Sequence, residues 1–99
     1  MKDGTYINHA GMFIQQHDAE GYYVGVGSVY AGVNMNTVDK LTAVIPDGVR
    51  YGVWTDPDTG IFYIDYTDHI LDLPVAQRVA AANTELVIWD CKNKANLWL

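Results

Sequence analysis

The chain has one cysteine, one serine and six Lys and Arg residues in all, and each shortage removes a class of function. Cys91 alone can form neither an internal disulfide nor a multi-cysteine zinc site. In the apolar stretch LVIWDC it reads as a small buried hydrophobe, suited to a reducing cytosol. Six basic residues against twelve acidic ones give a net charge of -6, which argues against the clustered cations of a nucleic-acid-binding surface and favours a basic partner or simple solubility. No apolar run reaches the roughly 18 residues of a membrane helix. The segment MKDGTYINHAGMF lacks a charged stretch followed by an unbroken apolar one, so the expectation is a soluble, cytoplasmic protein made without a signal peptide.

What is present is a globular composition, 49% apolar with 12% aromatics over 99 residues, which predicts one domain spanning 1–99. TYINHAGMFIQQ and YYVGVGSVYAGV read as strands joined by a turn at HDAEG. In the second, Tyr22, Val24, Val26, Ser28 and Tyr30 alternate with Tyr23, Gly25, Gly27, Val29 and Ala31. NTVDKLTAVIPDG predicts a short helix with Asn36 as N-cap, Asp39 at its third position, and Val38, Leu41 and Val44 or Ile45 along its buried stripe. VRYGVWT and GIFYIDYT flank the turn signal DPDT, in which Pro57 presets a turn dihedral and Gly60 absorbs the exit. A four-residue loop would pair Thr55 with Gly60, Trp54 with Ile61 and Arg50 with Asp65. Val49, Tyr51, Val53, Phe62, Ile64 and Tyr66 then share one face, and Arg50, Gly52, Trp54, Ile61, Tyr63 and Asp65 the other. Asp72 is placed as the cap of a second helix, PVAQRVAAAN, with Pro74 in its first turn and Asn83 at its left-handed end. LVIWD reads as a buried strand, CKNK as a turn, and ANLWL as a further short strand that could pair back. The expected class is α+β: a mostly antiparallel sheet of five or six strands with two short helices, in the order β-β-α-β-β-α-β, with ANLWL as the sixth strand.

Five carboxylates, Asp56, Asp58, Asp65, Asp68 and Asp72, follow one another with no Lys or Arg between Tyr51 and Gln77. Asp56, Asp58 and Gly60 match the start of a calcium loop, but Thr67 stands where an EF-hand needs a bidentate Glu, so the turn reading is preferred. Asp65 and Asp68 lie three apart in a strand and point to opposite faces. His9, His17 and His69 show no metal-ligand spacing. Ser28, in GVGSVYAG, has neither the nucleophile-elbow nor the phosphate-loop pattern. No catalytic residue, metal or cofactor is therefore assigned, and the chain reads as a non-enzyme. What remains is the hairpin surface: Trp54 and Tyr63 with Asp56, Asp58, Asp65 and Asp68 form a candidate partner-binding patch, an aromatic centre with an acidic rim. The bland reading is that a helix covers it.

A short, acidic, aromatic-rich chain with no catalytic motif resembles the small phage-encoded anti-defence proteins, anti-CRISPR inhibitors among them. The stretch AQRVAAANTELVIWDCKN is similar in pattern to the ends of small phage proteins. The resemblance implies a bacterial host cytoplasm and a non-enzymatic inhibitor that binds a host protein or ribonucleoprotein complex bearing a basic surface, with no direct nucleic-acid contact. Two other functions compete with it. One is a sponge for a small nucleotide signal, with Tyr22, Tyr23 and Tyr30 as stacking surfaces and Gly25 and Gly27 admitting the ligand close to the backbone. The other is a structural or assembly subunit of a phage particle. Homodimerisation through a hairpin edge also stays open.

Overall fold

A computed structural model describes residues 1–85 and 87–99. Among the described residues the chain is α+β, with two helices and one antiparallel sheet. Its elements are β1 (Gly4–His9), β2 (Met12–Gln15), β3 (Tyr22–Gly32), α1 (Met35–Ala43), β4 (Arg50–Thr55), β5 (Phe62–Ile70), α2 (Leu73–Ala82), β6 (Val87–Asp90) and β7 (Ala95–Trp98). The sheet has seven strands in the order β2-β1-β4-β5-β3-β6-β7, where five or six were expected. The expected strand LVIWD begins at Leu86, which lies outside the described residues; its remainder forms β6. Among the described residues, no helix is long and apolar enough to cross a membrane.

The additional strand comes from TYINHAGMFIQQ, which is a hairpin rather than one strand. Ala10 (φ 50°) and Gly11 (φ 79°) both adopt left-handed backbone, the geometry that matches a two-residue turn to the twist of its strands. Ala carries a steric cost there that Asn or Gly would not, so the dipeptide is a weak turn signal. Its compensation lies elsewhere in the chain: the Ala10 N–H donates to the Asp47 carboxylate at 3.0 Å.

Backbone contacts gather into two compact units, Met1–Gln16 with Ser28–Tyr66, and His17–Gly27 with Thr67–Leu99. In the first, Val38 and Leu41 of α1 and Ile45 just after it lie on Tyr6, Tyr51, Val53 and Ile64 of the sheet. Asn34, rather than Asn36, caps the helix, its side chain accepting from the N–H groups of Asn36 and Thr37 at 2.9 and 3.3 Å. Thr37 is thus the third helical residue in place of Asp39. The buried stripe ends on Ile45, whereas Val44 is exposed. Asn8 joins the helix to the sheet. Its Nδ2 donates to the carbonyls of Thr42 (2.7 Å) and Ile45 (3.1 Å), and its Oδ1 accepts from the Tyr51 hydroxyl at 2.6 Å. The Ile45 carbonyl just past the helix is thereby satisfied from a strand, and the Thr42 carbonyl, which also accepts from the Ile45 N–H at 3.3 Å, gains a second donor.

In the second unit, α2 packs Leu73, Ala76, Val79 and Ala80 against Tyr22, Val24, Ile88 and Leu97. Asp72 caps it by accepting from the Val75 N–H at 3.2 Å, with Pro74 in the first turn as expected. The left-handed exit falls on Thr84 (φ 59°) and not on Asn83. CKNK is a turn organised by Asp90, whose carboxylate accepts from the Lys92 and Asn93 N–H groups and from Asn93 Nδ2, at 3.1, 3.2 and 2.8 Å. The Asn93 and Lys92 bonds hold the Asp90 carboxyl below its ordinary range, the Asn93 side chain contributing most.

Candidate functional site: an open aromatic face

The β4–β5 hairpin pairs Thr55 with Phe62, Trp54 with Tyr63, Val53 with Ile64, Gly52 with Asp65 and Tyr51 with Tyr66. This is two residues from the expected register. The loop is longer than DPDT alone: Asp56 donates its N–H to the Ile61 carbonyl (2.9 Å) and accepts from the Gly60 N–H (2.8 Å), so Asp56 through Ile61 all belong to it. The Asp56 carboxylate also accepts from the Asp58 N–H at 2.9 Å, an Asx turn, and Gly60 takes the left-handed exit at φ 73°. Because the shift is even, every residue keeps its face. Only the partners change: Asp65 stands across from Gly52, and the expected Arg50–Asp65 pairing is corrected.

Tyr51, Val53 and Ile64 lie under α1, the one helix of this unit, so the alternate residues lie on the side that α1 leaves uncovered. Trp54 and Tyr63 meet there as a stacked pair, ring centroids 4.5 Å apart and planes 13° apart, with Trp54 42% exposed. The Trp54 side chain donates to Asp65, whose half-buried carboxyl is nonetheless pushed above the ordinary aspartate range, because desolvation outweighs that bond. Continuing across β1 and β2, the same face carries Thr5 beside Gly52, Ile7 beside Arg50, and Ile14 beside Ile7. Arg50 Nε is buried with no hydrogen-bond partner. Gly52 leaves the row between Arg50 and Trp54 without a side chain.

Of the six predicted contact residues, the structure brings Trp54, Tyr63 and Asp65 together. Asp56 and Asp58 sit in the adjoining loop, Asp56 engaged in the turn and Asp58 exposed. Asp68 is exposed inside β5, which runs on to Ile70, and by alternation points opposite to Asp65. The alternative ligand-binding set is divided. Tyr22 packs under α2, while Tyr23 faces the other way, is 7% exposed, and donates to the Asp18 carboxylate at 2.5 Å. Burial first, and then that bond, raise the Tyr23 hydroxyl well above the usual tyrosine range. Tyr30 packs into the core of the first unit and accepts from the Asn34 N–H. Gly25 and Gly27 fall in the half of β3 that belongs to the second unit.

The remaining candidates have structural employment. Cys91 is buried, and burial together with the Asp18 and Asp90 charges pushes its thiol up to about 11, which keeps it protonated near neutrality. His69 Nε2 lies 2.7 Å from the Glu20 carbonyl and 4.0 Å from the Asp18 carboxylate, its ring tilted against Tyr23. Among the described residues, no group of three or more His, Cys, Asp or Glu is arranged to hold a metal ion. A depression lined by Asn8, Gly11, Phe13, Ala43 and Asp47 offers little to a ligand, since Asn8 is committed to α1 and Tyr51, and Asp47 to Ala10. Sequence reasoning missed Asn8 altogether; the available signal was a short amide two residues from Tyr6, on the same face of the strand.

Compared with models of protein families, with curated proteins and with solved structures, the chain matches none.

Proposed function

We propose that this chain is a non-enzymatic binding protein whose open face, centred on Trp54 and Tyr63, captures a partner protein with a basic surface. The observation that carries the reading is the stacked Trp54–Tyr63 pair left uncovered by α1, with Trp54 42% exposed. Tryptophan, tyrosine and arginine supply most interface hot spots, and a rigid aromatic pair loses little entropy on binding. Arg50, Asp56 and Asp58 supply the charged rim, and a net charge of -6 steers a cationic partner to it. Together with the resemblance to small anti-defence proteins, this supports inhibition of a host nucleic-acid-targeting complex by occlusion of its basic surface.

The test is binding of purified bacterial nucleic-acid-targeting effector complexes by the immobilised chain and by two variants, Trp54→Ala and the pair Asp56→Lys with Asp58→Lys. Capture by the wild type, with at least a roughly 30-fold loss in Trp54→Ala and a clear loss in the charge-reversed pair, is the expected result. Capture that both variants retain, with their thermal unfolding unchanged, would refute the assignment of this face.

A further inference from the structure

β2 is an outermost strand of the sheet, and apart from its shortness it carries none of the devices that ordinarily protect such an edge. Its four residues, MFIQ, include no Lys and no Pro, and their pairing with β1 is regular, without a bulge. Met12, Phe13 and Ile14 are 66%, 47% and 43% exposed, so apolar side chains stand out on both faces of the strand. The charge distribution is equally one-sided. Residues 4–17 contain no Asp, Glu, Lys or Arg, and all 18 charged side chains lie elsewhere. A neutral edge offers nothing to a charged partner, but it is the place where two copies of a chain at -6 can meet without like charges opposed.

Backbone geometry specifies how they would meet. Gln16 donates its N–H to the Thr5 carbonyl at 2.7 Å, so by antiparallel alternation Ile14 bonds Ile7 and Met12 bonds His9. The N–H and C=O groups of Phe13 and Gln15 therefore point away from β1, unpaired by the sheet.

We propose that β2 is a homodimer interface, pairing antiparallel with β2 of a second copy about a two-fold axis at Phe13. Each Phe13 exchanges both of its outward backbone bonds with its symmetry mate, and Met12 of each copy stands beside Ile14 of the other. The axis is perpendicular to the sheet, so helix-side residues meet helix-side residues: the two Phe13 rings on one side, Met12 with Ile14 on the other. It also sets two Trp54 faces on the same side of the dimer. This proposal goes beyond the partner-binding reading and is tested on the isolated chain.

Sedimentation of the wild type over a concentration series should show mass rising toward twice that of the chain. Phe13→Lys, which opposes two cations across the axis, should stay at the monomer mass at every concentration while keeping a cooperative thermal transition. Under mild oxidation, Phe13→Cys should cross-link to itself, since directly opposed residues lie within disulfide reach, while Met12→Cys, opposite Ile14, should not. Hydrogen exchange on the wild type gives a readout that needs no variant: the Phe13 and Gln15 amides should become protected as concentration rises. A wild type that stays monomeric throughout, a dimer that survives Phe13→Lys, or Met12→Cys cross-linking as readily as Phe13→Cys would each overturn the proposal.

Discussion

The two faces of the β4–β5 hairpin are built from alternate residues of the same strands, yet they are furnished by different rules. On the face under α1, Tyr51 and Ile64 are fully buried and the polar Asn8 spends both its donor and its acceptor capacity on partners inside the fold. Tyr51, flanked by Tyr6 at a ring separation of 5.9 Å, has its hydroxyl pushed up to about 12, chiefly by burial. It serves there as a donor. On the opposite face, Trp54 is left part-exposed, Arg50 Nε has no partner and Asp65 holds a carboxyl against desolvation. A face selected only for stability would resolve those three features by covering or replacing the residues. The contrast separates what holds the unit together from what it presents.

The strongest way to break the covered side is Asn8→Ala. It strands the Tyr51 hydroxyl and the Ile45 carbonyl in a site where Asn8 is 4% exposed, and leaves the Thr42 carbonyl with only its bond from the Ile45 N–H. Unsatisfied buried groups cost about 1–3 kcal/mol each, with partial relief from relaxation, so the expected loss is about 3 kcal/mol in urea unfolding at unchanged m-value. In a Tyr51→Phe background the same substitution should cost less, because one of the stranded groups is already gone; strict additivity would show that Asn8 and Tyr51 do not act as a unit.

How much of this was legible beforehand differs between the faces for a physical reason. Side-chain alternation has a period of two, so the membership of each face survived an error of two residues in the register; what was lost was the partner of Asp65. That error came from the loop, where the backbone bonds of Asp56 to Gly60 and Ile61 lengthen a turn whose residue types fit a shorter one equally well. The β1–β2 hairpin was hidden because its left-handed Ala10 depends on Asp47, a residue 37 positions away. Asn8 was hidden likewise, since its partners Thr42 and Ile45 are 34 and 37 residues distant. Caps with local partners were easier: Asp72 was read correctly, and Asn34 was missed only in favour of a second Asn two residues later. Which side α1 would cover was not written in either strand.

On the open side, Trp54→Ala should change stability far less than Asn8→Ala does. Part of the indole already meets water, and what is lost is the stack on Tyr63 and a bond to Asp65, for an expected cost of about 1 kcal/mol. Thermal and urea unfolding measured together with partner capture would sharpen the division: a small stability loss beside a large binding loss keeps the two faces distinct. A loss as large as that of Asn8→Ala would mean that Trp54 is part of the core after all.

The smallest effect is also the most specific, because it concerns one proton. Asp65 has its carboxyl raised by desolvation, so the folded state holds the proton more tightly than the unfolded chain does. The sign follows from linkage: below the unfolded aspartate range both states are protonated and the group contributes nothing. As pH climbs through that range and on through the raised folded value, stability falls, and the deficit persists at neutral pH. Asp65→Asn removes the charge while its side-chain oxygen can still accept from Trp54. The variant should therefore match the wild type in strongly acidic solution and be slightly more stable than it near neutrality, with the difference growing only across the window above the ordinary aspartate pKa. Unfolding curves collected over that pH range decide the matter. A variant less stable than the wild type at neutral pH would show that the Asp65 carboxylate is stabilised by its surroundings, and the open face would then be less costly to the fold than its geometry indicates.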